Sequence, residues 1–279
     1  MIVDGHAHAC GDFLTAEGIL EALDIAGVDT VVLVPGEHAS DKTYGLPNLA
    51  RILPRAEVGR VTNGLTRLAV RASGARRYLD EENERVFGLS ASHPDRILQF
   101  YWVLLQAGFD EAMVRHRVDE WRPRGLKVHQ CWDAFSVEDD AFCRLVVFAG
   151  ESALPIFIHL GQPRQATALA HLARRFPQTT FIVGHLYGLS IFMETGPAPA
   201  NVYFDFSCPD IVSDFRLRRA VSYAGAERVM MGSDTPYGKR GLERSIARVR
   251  ALGLPPHEEA LLLGGAAKRL LRLQEAQRV

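Results

Sequence analysis

Eight short apolar runs, rich in β-branched and aromatic residues, punctuate the chain at 2–3, 30–34, 97–104, 125–128, 155–158, 180–183, 202–206 and 229–231. Between most of them lie stretches with helical spacing of apolar residues, as at 14–26, 141–149, 166–176 and 242–252. Strand alternating with helix forces parallel pairing, because each crossover returns the chain to the same end of the sheet. Most runs start about 20 to 30 residues apart, the size of one βα unit, and eight such units close a barrel of roughly 250 residues. A length of 279 residues suits one such domain. The expectation is an α/β fold, a single (β/α)8 TIM barrel spanning 1–279.

One interval breaks the stride. About 60 residues separate the second and third runs, roughly twice what a crossover helix needs. The excess leaves from the C-terminal end of strand two, the face where barrels of this kind keep their sites. Residues 36 to 80 are therefore expected to form an inserted cap over the mouth. Across 51–77, Arg51, Arg55, Arg60, Arg67, Arg71, Arg76 and Arg77 are opposed only by Glu57. They form either a solvated helical surface or subunit contact, or a basic lid that draws in an anionic substrate.

Composition excludes several function classes. With 47% hydrophobic and 23% charged residues and a net charge of -1, the chain has no global attraction for nucleic acid or a membrane surface. No apolar run approaches a membrane span or a signal-peptide core. The four cysteines, Cys10, Cys131, Cys143 and Cys208, form no Cys-x-x-Cys pair, which argues for reduced thiols, a cytoplasmic location and no cysteine-based zinc site.

Chemistry enters at the strand ends. The opening Asp4-Gly5-His6-Ala7-His8 puts two imidazoles two positions apart, hence on one side of a strand. The fifth run stops at His159, the sixth at His185 and the eighth at Asp234. In a parallel barrel all of these converge on the C-terminal mouth. Four neutral imidazoles and a carboxylate suit a borderline divalent ion, zinc first, with manganese or iron as alternatives. An ion held by three neutral histidines and one aspartate keeps a charge of +1 and lowers the pKa of bound water to about 7, while a spare histidine can shuttle protons. Asp4 lies one pleat lower and reads as a supporting or core residue.

Taken together, these motifs resemble the amidohydrolase superfamily, in particular the amidohydrolase-2 group, which includes metal-dependent hydrolases and relatives of aminocarboxymuconate-semialdehyde decarboxylase. The similarity runs through Asp4 to His8, 26–29, 93–96, 125–129, 158–161, 184–185 and 232–236. It implies that His6, His8, His159 and Asp234 hold the metal and that His185 is the catalytic proton carrier. The chain departs from the group at Tyr187, where glycine is common, and at Gly264-Gly265-Ala266-Ala267, where Gly-Gly-Asn-Ala is usual.

Related two-metal hydrolases bridge their ions with a carboxylated lysine from strand four, and Lys127 lies on that strand. His129, however, is the residue nearest the mouth, so one ion per chain is expected, with His129 and Lys127 among the substrate-binding residues. His38, just after strand two, and Tyr237, just after Asp234, join them. The leading function is metal-dependent hydrolysis of a small amide, lactone or anionic ring compound, with Asp234 and His185 as catalytic residues. The alternative is non-oxidative decarboxylation of a small carboxylated substrate. A barrel nuclease would need another carboxylate near the end of strand three, where 100–106 offers none, and a purely binding barrel has no need of an open metal position. The partner is a small molecule, with a homodimer left open.

Overall fold

A computed structural model describes residues 1–106 and 109–274, apart from the Arg60 side chain. Strands β1 (Val3–Ala9), β2 (Thr30–Pro35), β3 (Ile97–Trp102), β4 (Gly125–His129), β5 (Ile156–His159), β6 (Phe181–Val183), β7 (Val202–Asp205) and β8 (Val229–Met230) pair in parallel and in chain order. Helices fill the crossovers, giving the expected (β/α)8 barrel. The first of them, Ala16–Ala26, shows why: Thr15 caps its N-terminus by accepting from Gly18 N, and Gly27 ends it in the left-handed conformation at φ 69°.

Side chains along each strand divide between two apolar layers. Val32, Val34, Leu98, Phe100, Trp102, Phe157 and Ile182 fill the barrel interior, while Val31, Leu33, Ile97, Leu126, Val128, Ile156 and Ile158 pack outward against the helices. Ala266, Ala267 and Leu271 plug the N-terminal end. The preceding turn is packed tightly there, since a Cβ on Gly264 would sit 2.7 Å from Met1 O.

The barrel closes where β1 meets β8. Gly5 N donates to Met231 O at 2.8 Å, Asp234 N to His6 O at 2.9 Å, and His8 N to Thr235 O at 2.8 Å. A Cβ on residue 5 would lie 2.7 Å from Met231 O, so glycine is what lets the backbones approach. Buried Asp4 fastens the seam: Ser233 N and Ser233 Oγ donate to its two oxygens at 2.7 and 2.6 Å, and His6 N adds a third bond at 3.3 Å. Burial pushes the Asp4 carboxyl up to about 7 against these three donors.

Segment 36–80 lies over the C-terminal end of the barrel. Ala50 N donates to Asp210 O and Tyr44 N to Pro236 O, while Glu57 Oε1 accepts from Gly188 N at 2.6 Å and Arg76 pairs with Asp133 at 2.8 Å. These partners belong to loops that follow β4, β6, β7 and β8. The helix Gly59–Ser73 lies against the Tyr187 ring, and a Cβ on Gly59 would fall 1.3 Å from Tyr187 Cε1. Tyr187 OH also pairs with Thr62 Oγ1 at 2.7 Å. Tyr187, a departure from the family pattern, is thus matched by an absent side chain at 59.

Two outcomes follow from this packing. Asp4→Ala strands three buried donors, so urea unfolding should show a loss of about 3 kcal/mol, against about 1 kcal/mol for Ser233→Ala. Gly59→Ala should speed hydrogen exchange across 59–73, and adding Tyr187→Ala, which vacates the contested space, should leave the double variant more stable than the sum of the two single losses.

Candidate active site

His6, His8 and Asp234 come together at the upper end of the seam. His6 Nε2 and His8 Nε2 lie 3.4 and 3.5 Å from the same oxygen, Asp234 Oδ1. His8 Nδ1 faces the carbonyl of Pro35 at 2.8 Å, and a carbonyl only accepts, so Nδ1 carries a proton and Nε2 is the nitrogen turned toward the carboxylate. His6 is fully buried, neither of its ring nitrogens has a hydrogen-bond partner among the described residues, and burial holds it well below the usual histidine range. Two imidazole nitrogens converging on one carboxylate oxygen in this way suit a bound cation. Ligand bonds of about 2.1 Å in a tetrahedron separate neighbouring donor atoms by about 3.4 Å. The spacing found here therefore fits a small divalent ion, with Asp234 Oδ1 as the shared corner.

Asp234 and His185 both sit where the backbone takes a left-handed turn, at φ 61° and 55°, as do Leu186 at 53° and Cys208 at 61°. Such non-glycine residues at the ends of β6, β7 and β8 mark the rim where side chains are aimed rather than relaxed.

His185 is oriented by a relay from β7. Ser207 Oγ donates to Asp205 Oδ2 at 2.5 Å and so accepts from His185 Nδ1 at 3.0 Å. Asp205 Oδ2 also receives the His185 backbone N–H at 3.0 Å. Nδ1 of His185 is thereby the donor nitrogen, which leaves Nε2 as the one free to exchange a proton on a side chain that lines the pocket. That is the arrangement of a base.

His159 is placed differently from His6 and His8. Asn63 Nδ2 donates to Leu160 O and Gly161 O at 2.9 and 3.2 Å, so Asn63 Oδ1 accepts from His159 Nε2 at 2.8 Å. Segment 36–80 thus occupies one nitrogen of His159, and only Nδ1 is left. Its ring stacks on His129, centroids 3.8 Å apart and 10° from parallel. His129, His159 and Cys131 form a second group with metal-type atoms within 4.8 Å. Two parallel stacked imidazoles cannot both aim in-plane lone pairs at one ion, and burial pushes the Cys131 thiol up to about 11. That group suits stacking better than coordination.

His129 faces the pocket as a donor. Its Nδ1 accepts from Cys131 N at 3.0 Å and burial keeps the ring neutral, so the remaining proton is on Nε2. One pleat below, fully buried Lys127 has no hydrogen-bond partner on Nζ among the described residues, and this atom lies 3.9 Å from the Phe157 ring centroid and 5.6 Å from that of Trp102. Burial pushes it down to about 7. A cation–π contact contributes about 0.5 to 2 kcal/mol, against several kcal/mol per ion for desolvation, so the two rings do not compensate the burial of an ammonium.

These groups share a cavity of about 480 Å³ that also takes in His38, Tyr187, Trp132 and Tyr237. His38 is held by Glu82 at 2.9 Å and stacks on Tyr78, and Tyr237 meets His8 edge-on at 5.2 Å. The wall from segment 36–80 is mixed, with Leu46, Leu65, Ala69 and Val70 beside Glu37, Thr62, Thr66 and Ser73. Among the described side chains no arginine lines the cavity: Arg67 bonds Gly161 O, Arg76 pairs with Asp133 and Arg55 lies over Phe215. Arg60 falls outside the described side chains.

Asn63 and the Asp205–Ser207 relay were not singled out from the sequence. A hydrophilic Asn inside an inserted segment carries no signal. The run at 202–206 does contain an acid followed by Ser207, the same strand-end pattern that pointed to His159 and Asp234, and could have been read.

A family model described as amidohydrolase, of the amidohydrolase-2 type, matches residues 3–273. No curated protein matches the chain. Among solved structures it is similar to 5-carboxyvanillate decarboxylase from Sphingomonas paucimobilis, with 16% identity, TM-score 0.66 and coverage of 98% of this chain and 99% of that one. It is also similar to 2,6-dihydroxybenzoate decarboxylase from Rhizobium, with 14% identity, TM-score 0.67 and 98% coverage of each chain. A probable 2-pyrone-4,6-dicarboxylic acid hydrolase from Acinetobacter baumannii shares 12% identity at TM-score 0.65, over 97% of this chain and 99% of that one. At these identities the likeness speaks for the barrel. Matched by the family model over nearly its whole length, the chain belongs to the amidohydrolase family, in its amidohydrolase-2 group.

Proposed function

We propose that this protein is a metal-dependent hydrolase that opens a small amide, ester or lactone bearing an anionic group. The observation that carries the reading is the meeting of His6 Nε2, His8 Nε2 and Asp234 Oδ1 at tetrahedral spacing. A divalent ion in that set, zinc first, would supply an activated water and a polarised substrate carbonyl. His185 Nε2 accepts the proton as the water oxygen bonds to the carbonyl carbon, then returns it to the leaving nitrogen or oxygen as the old bond breaks. Ser207 and Asp205 keep the ring in the correct tautomer and stabilise it while it is charged. His129 Nε2–H is available to the carbonyl oxygen. His159 is a further candidate ligand once Asn63 releases it, or through Nδ1.

Segment 36–80 acts as a cap in this reading, covering the pocket with a mixed apolar and polar wall. The buried free thiols of Cys10, Cys131 and Cys208 support a reducing, cytoplasmic setting, and no helix among the described residues is long and apolar enough to cross a membrane. Decarboxylation is the second reading, supported by the names of two of the similar structures.

Metal analysis after purification without added metal should give about one divalent ion per chain, with His6→Ala and Asp234→Asn losing it. His185→Asn should retain the ion and lower turnover about 100-fold or more. Screening a panel of lactones and carboxylated aromatic acids for acid release against carbon dioxide release separates the two readings. Carbon dioxide alone would overturn the hydrolase assignment.

A further inference from the structure

We propose that Lys127 is the specificity-determining residue of this pocket, holding a carboxylate of the substrate at the barrel floor; this rests on the small-molecule reading of the site above. Three observations carry it. Lys127 lines the cavity, yet among the described residues its Nζ has no hydrogen-bond acceptor: it lies over the faces of Phe157 and Trp102, and the Asp234 and Asp205 carboxylates act on it only through space. A buried amino group without an acceptor is a poor feature of a core, and a good one of a site that is completed by an anionic ligand, which also holds it charged. Trp102 Nε1, on the ring beside it, is a second buried donor without a partner among the described residues.

The surroundings select the class of anion. Among the described side chains, Lys127 is the one lysine or arginine that lines the cavity. A single ammonium matches a single carboxylate, whereas a phosphate would call for several cations or a nest of backbone N–H groups. The floor also fixes where the carboxylate must lie. β3, β4 and β5 set Trp102, Lys127 and Phe157 side by side in register, one pleat below His129. A carboxylate on Lys127 therefore places the remainder of a flat substrate against the Trp102–His129 stack, whose rings are 5.6 Å apart and 5° from parallel. Lys127 would act by positioning and selecting, with His185 and the metal ligands left to the bond-breaking step.

The test uses metal-loaded wild type and Lys127→Met, titrated with benzoate and with benzamide, its uncharged counterpart, and followed by calorimetry. Wild type should prefer benzoate by about tenfold or more, the scale of one charge-assisted contact. Lys127→Met should bind the two equally, keep its metal and melt at the same temperature or higher, because it removes an unpaired buried charge. The proposal fails if wild type shows no preference, or if the variant keeps the preference. It fails equally if the variant loses its metal or unfolds, since Lys127 would then serve the metal site or the fold. If wild type shows the preference, the variant erases it, and the protein nevertheless hydrolyses nothing in the lactone panel, the hydrolase reading falls while the assignment of Lys127 stands.

Discussion

The seam between β1 and β8 is the constraint on which the site depends. It joins Asp4 to Ser233 across 229 positions of sequence, through two short hydrogen bonds in a dry interior. Just above that buckle, Asp234 N bonds His6 O and His8 N bonds Thr235 O. The same closure that completes the barrel therefore brings the Asp234 carboxylate onto the two imidazoles. A one-residue slip of either strand would turn the ligands out of the barrel, so fold and site are specified by one set of contacts.

Around that seam the pocket is divided by hydrogen-bond polarity. His8 and His185 present Nε2 from β1 and β6, each ring held by a partner on its Nδ1, Pro35 O and Ser207 Oγ. Across from them β4 presents donors, His129 Nε2–H and Lys127 Nζ. A cation is wanted on one side and an anion or carbonyl oxygen on the other. The helix Gly59–Ser73 bridges the two halves through Asn63 and Thr62, which reach His159 and Tyr187.

Much of this was legible in the chain because its signals are local. Strand ends at His159, His185 and Asp234 show as polar residues where apolar runs stop, and parallel topology then sends them to one mouth. The pleat on β4 correctly set His129 above Lys127. Contacts between distant segments were not legible. Nothing local marks Asn63 as the partner of His159, or Gly59 as the space for the Tyr187 ring. The arginines at 51–77 are a conspicuous pattern from which the sequence could not tell partners: Arg67 turns to Gly161 O and Arg76 to Asp133, and none of the described arginine side chains lines the cavity. Register and burial settle such cases, and composition does not.

The central claim is that His6, His8 and Asp234, and not the neighbouring His129, His159 and Cys131, form the metal centre. X-ray absorption spectroscopy of the zinc-loaded protein addresses it directly, because sulfur and nitrogen or oxygen ligands differ in bond length. The account predicts a first shell of nitrogen and oxygen alone at about 2.0 to 2.2 Å, including imidazole scattering. A sulfur ligand at about 2.3 Å, such as Cys131 would supply, would contradict it.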